Sequence, residues 1–357
     1  MKRNKGNKGN ISEQMKNYVK KEEPEPELSE GNFNKGVVST GSTLLDLAIS
    51  GEVVRGGGIP GGIVAEIFGP SGIGKTSMLC EVAGSTRRQG GEIQFKDPES
   101  RLKKEFAAIF DLEIDDEDID KPDTPTQVFK PIRSWEPGSS DLIHGVFLDS
   151  SAALVSDTEL EDKTDEYSRR AKLFSQELRK TCRYIERKNL LVFSSNQLRQ
   201  KVSNTGYGEQ FEVPGGEAFK FYSSLRLRAK KPPQNHKLTK TIRYQGKDIT
   251  EVIGVKNEIE VYKSTVGKPF RSAPVYVVFN YGIDDIRANL QWLKTRLGTD
   301  SYTIDGKEKV GGNKGLDGAV AEVEENDLED ILRETVIDIW EEIEKEFRVP
   351  RKPKKRG

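Results

Sequence analysis

The stretch Gly69-Pro-Ser-Gly-Ile-Gly-Lys75-Thr76 decides the fold of this 357-residue chain. It has the spacing of a phosphate-binding loop, which needs glycines followed by lysine and a hydroxyl residue. The apolar run at 63–68 predicts a strand before it, and 77–83 is compatible with a helix after it. Glycines let loop amides face an anion, and a helix N-terminus adds positive potential. The stretch therefore predicts a nucleotide-binding α/β protein, without saying what the nucleotide drives.

The residues of the loop have separate expected roles. Lys75 can reach the outer phosphates, and the Thr76 hydroxyl can ligate Mg²⁺. ATP and Mg²⁺ are therefore the expected cofactors. The residues expected to contact the nucleotide here are Gly69, Pro70, Ser71, Gly72, Ile73, Gly74, Lys75, Thr76 and Ser77.

The composition is that of a very polar chain. Hydrophobic residues make up 34% and charged residues 32%, so a core is expected in only part of the length. The net charge of −1 neither supports nor excludes a nucleic-acid partner, because 111–120 is acidic and 348–356 is basic. Cys80 and Cys182 give no disulfide framework and no zinc spacing. Without a signal peptide or a membrane-length apolar run, we expect a cytoplasmic protein that contacts no membrane.

Four regions are predicted along the chain. Residues 1–36 form an arm and linker whose short helix either docks on another molecule or packs on its own domain. Residues 37–283 form the core, where short strands alternate with helices and predict a mostly parallel sheet that later gains antiparallel strands. Residues 284–347 form a small α+β C-terminal domain, and 348–357 form a basic tail.

Individual elements follow from the apolar spacing. Strands are expected at 63–68, 92–95, 145–148, 190–194, 224–228, 258–262 and 275–279. Helices are expected at 42–49, 75–84, 101–110, 168–187, 286–296 and 327–347, with a hairpin-like stretch at 302–318.

Carboxylates follow two of the predicted strands. Asp149 ends the run 146–148 and is expected to join Thr76 at the Mg²⁺. Asp97 and Glu99 follow another strand, and either could orient and polarise an attacking water. A solvated loop carboxylate is the other interpretation of that pair, and the residues alone leave it open.

An amide pair ends the strand that precedes a long polar segment. Asn196 or Gln197 could sense the γ-phosphate, or simply cap the strand. The segment 198–215 carries Arg199, Lys201 and Tyr207 among polar residues. Such a segment is functional or disordered, and its charge suits a single-stranded nucleic-acid backbone. Cations also crowd 169–188, where a solvated helix face is the alternative.

These residues, in this order, closely resemble the bacterial-type RecA recombinases from about 38 to 282, with a weaker match to about 309. The run Gly215-Gly-Glu-Ala-Phe-Lys-Phe-Tyr222 after a basic segment is far more specific than a phosphate loop. The other segments that carry the resemblance are 39–46, 69–76, 95–99, 148–154, 175–180, 196–199 and 281–282.

The resemblance implies a RecA-type ATPase core and an ATP-dependent recombinase. Such a protein forms a homo-oligomeric helical filament on single-stranded DNA and pairs it with homologous double-stranded DNA during recombination, repair of DNA damage and the SOS response. The arm at 11–21 resembles the helix by which one subunit docks on the next. In a bacterial host the protein would be associated with the nucleoid.

The resemblance also implies residue roles. Glu99 falls on the catalytic glutamate, Gln197 on the amide that couples ATP to DNA, and Lys263 on a lysine that reaches the neighbour's ATP site. Phe106 and Tyr281 fall where rings contact adenine. Two segments, 157–170 and 198–215, resemble the DNA-binding loops. The residues expected at DNA, or anchoring those loops, are Arg169, Lys172, Arg179, Arg199, Lys201, Val202, Tyr207, Gly215, Gly216, Lys220 and Arg226.

The sequence also departs from the family pattern. A second intersubunit lysine is replaced by Thr265, so hydrolysis is expected to be slow unless Lys256 or Lys268 substitutes. The first DNA loop is short and acidic, 52–57 is an insertion, and the tail is basic. These features indicate a divergent member, of phage or other unusual origin.

Two other functions fit some of these features. A filament-forming DNA-binding protein with little ATP turnover would explain Thr265. Another ATPase of the same fold class, such as a ring helicase or a small-molecule kinase, would share the phosphate loop but not the run 215–222.

Overall fold

The computed structural model describes residues 36–115, 119–139, 141–155, 166–200, 211–212, 216–232 and 236–347. Nearly all of the expected N-terminal arm, and the whole basic tail, lie outside these ranges. The division into four regions stays a prediction.

The strands include all of the predicted ones in order, with additions in both halves of the chain. They are β1 (Val37–Val38), β2 (Ile59–Pro60), β3 (Ile63–Gly69), β4 (Ile93–Lys96), β5 (Ile119–Asp120), β6 (His144–Leu148), β7 (Leu190–Gln197), β8 (Arg199–Gln200), β9 (Phe211–Glu212), β10 (Leu225–Lys230), β11 (Lys237–Tyr244), β12 (Lys247–Ser264), β13 (Ser272–Val278), β14 (Gly282–Ile283), β15 (Tyr302–Thr303) and β16 (Lys309–Val310).

Among the described residues, ten strands form the main sheet, in the order β14-β13-β12-β10-β3-β7-β6-β4-β5 with β11 beside β12. The strands from β10 to β5 run parallel, while β12, β13 and β14 are antiparallel to their neighbours. The predicted α/β class and mostly parallel sheet are confirmed. Because parallel strands end at one edge, residues that follow β3, β4, β6 and β7 meet there.

The α-helices cover both faces of this sheet. They are α1 (Thr43–Ser50), α2 (Lys75–Arg88), α3 (Lys104–Ala108), α4 (Pro125–Ser134), α5 (Glu166–Arg187), α6 (Gly216–Tyr222), α7 (Asp285–Leu297), α8 (Gly315–Glu325) and α9 (Glu329–Glu346). Local signals fix several ends: Thr124 and Gln127 form a capping box at α4, and the Asp284 carboxylate accepts from the Arg287 amide at α7.

Two apolar clusters hold the layers together. Residues such as Phe147 and Phe193 face the larger cluster, with α1, α2 and α7, and their strand neighbours Val146 and Val192 face the smaller cluster, with α4 and α5. Alternating residues of β6 and β7 thus bury both faces of the sheet, as expected for central parallel strands.

Two elements differ from the predictions. The helix expected at 101–110 covers only Lys104–Ala108, because the Asp97 carboxylate takes the Arg101 and Leu102 amides. In addition, β11 pairs with the first part of β12, and β13 pairs with a later part. The β11–β12 hairpin therefore projects from the sheet as a two-stranded ribbon. Its turn has positive φ at Gln245 and Gly246, the geometry that a two-residue hairpin requires.

The insertion at 52–57 contacts the C-terminal helix. The Arg55 guanidinium lies 2.6, 2.8 and 3.2 Å from the carboxylates of Glu334, Asp338 and Glu341 of α9. The helix expected at 327–347 is present as α9, whereas α8 begins within the stretch where the sequence predicts a hairpin. None of the helices within the described ranges combines the length and the apolar character needed to cross a membrane.

Candidate functional site: the phosphate loop and its cavity

The phosphate loop joins the end of β3 to the start of α2. Gly72 and Gly74 have φ of 72° and 76°, a region that favours glycine. A Cβ on Gly74 would also lie 3.0 Å from the Val277 side chain. From β12, Asn257 Nδ2 donates to the Ile73 carbonyl at 2.8 Å. The loop conformation is therefore set by its own glycines and braced by a residue far away in the sequence.

The Lys75 ammonium lies within the loop itself. Its Nζ donates to the carbonyls of Gly69 at 3.2 Å and Pro70 at 2.8 Å. Burial lowers the pKa of Lys75, and the charges of Asp149 and Glu99 oppose that shift. A cation held beside loop amides at a helix N-terminus forms a site that attracts an anion such as a phosphate.

The hydroxyl and carboxylate expected to bind Mg²⁺ are in contact. Thr76 Oγ1 donates to Asp149 Oδ2 at 2.7 Å, and Ser195 Oγ donates to Asp149 Oδ1 at 2.5 Å. The Ser195 hydroxyl in turn accepts from the Ser150 amide at 2.8 Å. Both Asp149 oxygens are therefore oriented, and oxygen donors of this kind fit Mg²⁺.

Asp97 and Glu99 occupy different environments. Asp97 is only 1% exposed, and its carboxylate accepts from the amides of Glu99, Arg101 and Leu102. Glu99 lines the cavity beside the phosphate loop, and its Oε2 lies 2.9 Å from the exposed Arg101 guanidinium. Asp97 therefore holds the turn, while Glu99 is the carboxylate that can meet a ligand.

A cavity of about 280 Å³ gathers most of the predicted residues. It is lined by Ser71, Gly72, Gly74, Lys75, Thr76, Glu99, Arg101, Leu102, Phe106, Asp149, Ser150, Ser195 and Gln197. The loop lysine, the hydroxyl–carboxylate pair, the candidate base and the strand-end amide thus share one space. The phosphates of a nucleotide would meet the Lys75 charge, and a divalent cation would meet the Asp149 carboxylate.

Six residues expected at the nucleotide or in catalysis lie outside the cavity lining: Gly69, Pro70, Ile73, Ser77, Tyr281 and Lys263. Tyr281 is 51% exposed, and its hydroxyl lies 3.3 Å from Glu324. Burial, with the nearby charge of Glu324, raises the pKa of Tyr281 to about 12. Lys263 Nζ donates to the carbonyls of Lys220 at 2.9 Å and Phe221 at 3.4 Å, at the end of α6.

Some of the residues expected at DNA are exposed to solvent, and one is buried. Lys172 and Arg179 lie two turns apart on α5 and are exposed, as is Lys220. Arg226 is buried and its Nε donates to Glu66, so its place favours the loop-anchoring alternative. Gly216 begins α6. The side chains of Arg169 and Arg199, and all of Lys201, Val202, Tyr207 and Gly215, lie outside the described part of the chain.

Sequence reasoning missed five residues of the site: Arg101, Leu102, Ser150 and Ser195, which line the cavity, and Asn257, which braces the loop. Ser195 precedes the amide pair at the end of β7, so the polar run 194–197 could have indicated it. Arg101 follows Glu99 by two residues and is a similarly local signal. Asn257 lies 184 positions from Ile73, and nothing local links the two.

Comparison with known proteins assigns the family. Residues 25–284 match the RecA N-terminal domain. A protein named Protein RecA from Thermus thermophilus is 33% identical over 252 residues, 70% of this chain and 69% of that protein. Those from Treponema denticola and Acholeplasma laidlawii are 32% and 31% identical, covering 88% and 83% of this chain and 70% and 86% of theirs. The chain therefore belongs to the RecA family.

Proposed function

We propose that this chain is a DNA-dependent ATPase that polymerises on single-stranded DNA and promotes homologous pairing and strand exchange. The observation that carries the proposal is the single cavity shared by Lys75, Thr76, Glu99, Asp149 and Gln197. A phosphate site, a metal site and a residue that positions water are the parts that ATP hydrolysis needs. Gln197 leads from these parts into the segment 198–215.

In this proposal each group has one task. Lys75 and the loop amides bind the outer phosphates, while Thr76 and Asp149 would hold Mg²⁺, which neutralises charge on those phosphates. Glu99 accepts a proton from the attacking water, and Gln197 reports on the γ-phosphate to the segment that follows. Lys263 lies outside this cavity and is assigned, on the resemblance, to a neighbour's ATP site.

ATP turnover with and without single-stranded DNA, followed by negative-stain imaging, tests the proposal. We expect DNA-stimulated turnover and open helical filaments that need ATP. Turnover that ignores DNA, with no filaments, would remove the proposal, and closed rings would favour a helicase-like ATPase.

A second candidate is a DNA-binding filament protein with little turnover, and the surroundings of Thr265 favour it. The Lys268 ammonium lies 2.6 Å from Glu52 and is occupied by that ion pair. Lys256 of β12 lies over the Tyr276 ring of β13, and it is seven residues from Lys263 along β12. Seven extended residues span roughly 23 Å. Lys256 is therefore too far along β12 to replace the cation missing at Thr265, and Lys268 is engaged with Glu52.

The Thr265→Lys variant separates the two candidates. A large gain in turnover over the native protein would support a site that lacks one cation, because such charges stabilise the transition state of phosphoryl transfer. Thr265→Met, of similar length without charge, controls for size. Brisk turnover by the native protein would reject this candidate.

A further inference from the structure

An ion pair lies buried in the middle of the sheet, between β3, which carries the phosphate loop, and its neighbour β10. Arg226 Nε of β10 donates to Glu66 Oε2 of β3 at 2.6 Å, and their side chains are 5% and 0% exposed. The Arg226 guanidinium also lies 4.5 Å from the ring centre of Phe68 and 5.6 Å from that of Tyr262. Burial raises the pKa of Glu66, and Arg226 opposes that shift.

Stability alone is a weak reason for such a pair. Removing two charges from water costs about as much as their attraction returns, and apolar substitutes are often equally stable. A buried pair of this kind is better understood by what it holds in place.

On one side the pair holds the end of β7. Asn196 Nδ2 donates to Glu66 Oε1 at 3.2 Å, and Asn196 Oδ1 accepts from the Gln197 amide at 2.9 Å. Gln197 lines the cavity and precedes the segment 198–215. Glu66 is therefore linked, through the Asn196 side chain, to the residue that immediately precedes this segment.

On the other side the pair reaches the end of α6, the helix that follows the same segment. Arg226 is the register partner of Lys263 on β12, and Lys263 holds the Lys220 and Phe221 carbonyls. The two cations therefore lie opposite each other on β10 and β12, and burial and the charge of Arg226 lower the pKa of Lys263. Glu66 supplies the opposite charge that lets Arg226 remain beside Lys263.

We propose that Glu66, with Arg226 and Asn196, is a positioning residue that ties both flanks of the segment 198–215 to the strand carrying the phosphate loop. It acts through Gln197 and Lys263 and touches no reacting atom. The inference rests on the proposed DNA-stimulated ATPase and names the part of the sheet that couples the cavity to the DNA segment.

The test removes both charges together, as Glu66→Gln with Arg226→Gln, so that neither is left buried alone. The matched control is Arg133→Gln with Glu177→Gln. Those side chains form a 2.7 Å ion pair between α4 and α5 with a buried carboxylate, and their other hydrogen bonds go to Thr181 and Lys180. Each protein is assayed for turnover with and without single-stranded DNA, for affinity for a non-hydrolysable ATP analogue, and for the salt dependence of DNA binding.

We expect DNA stimulation of the Glu66/Arg226 variant to fall about tenfold, the size of a typical coupling between sites. Affinity for the analogue should stay within about twofold of native, and the control should keep its stimulation. Unchanged stimulation overturns the inference, as does an equal loss in the control. A salt slope lowered by about 0.7 in the Glu66/Arg226 variant would indicate a direct phosphate contact and overturn it too.

If DNA does not stimulate turnover of the native protein, the proposed function is rejected. The positioning role of Glu66 is then tested separately by amide hydrogen exchange. With the ATP analogue bound, α6 amides of the Glu66/Arg226 variant should exchange about tenfold faster than those of the native and control proteins. Equal exchange rates in all three proteins would overturn it.

Discussion

The Thr76 hydroxyl donates to Asp149 at 2.7 Å, which joins the start of α2 to the end of β6. Since Ser195 donates to the other oxygen of the same carboxylate, three segments distant in sequence meet at one side chain. These hydrogen bonds would fix the orientation of the Asp149 carboxylate toward a metal bound there.

The first prediction concerns this carboxylate. In Asp149→Asn one side-chain oxygen becomes an NH₂ group, which donates hydrogen bonds and does not accept them, so the side chain no longer accepts from both Thr76 and Ser195. We expect Mg²⁺-dependent nucleotide affinity to fall about tenfold or more, measured by titration with and without chelator. Asp141→Asn, on the surface, is the control, and equal affinities would argue against a metal role.

The second prediction concerns the loop lysine. Lys75→Ala removes the cation beside the phosphate site, so ATP-dependent assembly should be lost while circular dichroism stays native. Light scattering with ATP measures assembly, and Lys75→Arg tests whether charge alone is sufficient. Assembly that survives in the alanine variant would contradict the assigned phosphate site.

The third prediction separates the two carboxylates that follow β4. Glu99→Gln should bind ATP normally but turn it over about 100-fold more slowly, because a general base is lost. Asp97→Asn should instead destabilise the fold by about 1 kcal/mol, since its oxygens accept three turn amides. Turnover and thermal unfolding of both variants check this, and the opposite pattern would make Asp97 the base.

The fourth prediction concerns pH. The buried Asp46 carboxylate accepts from Ser39 and from both groups of Thr40. Burial raises the pKa of Asp46 to about 7, from 3.8, against those hydrogen bonds. Between these values the folded state holds a proton that the unfolded state has released, so stability falls as pH rises and the loss is complete near pH 7.

Asp46→Asn should remove this dependence. Between pH 5 and pH 8 the native protein should lose roughly 3 kcal/mol of unfolding free energy more than the variant. Urea unfolding at both pH values measures the difference, with exposed Asp248→Asn as the control. Parallel losses in native and variant would mean that Asp46 is ionised throughout.

The fifth prediction concerns DNA. Lys172 and Arg179 are exposed on α5, and replacing both by Gln should lower the salt slope of single-stranded DNA binding by about 1.4. Lys307 and Lys314, exposed in the C-terminal part, provide a double-Gln control of equal charge change. If the slope stays native, the DNA lies elsewhere.

Local sequence signals were sufficient to predict the strands, the loop and the carboxylate around which the site is built. The glycines of the phosphate loop, the apolar run of β3 and the carboxylate after β6 each act through neighbours in sequence. Because parallel strands end at one edge, their terminal residues had to converge. The projecting ribbon and α8 were not predicted, since polar and β-branched residues at 237–253 and glycines at 315–318 give weak periodicity.

The sequence by itself determined the phosphate loop, the α/β class and the candidates Lys75, Thr76 and Asp149, because consecutive residues set loop geometry and strand direction. Only the tertiary structure decided that Asp97 is a buried turn acceptor while Glu99 faces the cavity, and that Arg226 is an interior partner of Glu66. Burial depends on which distant strands pack together, and a charged side chain looks the same in sequence whether it meets water or a buried opposite charge.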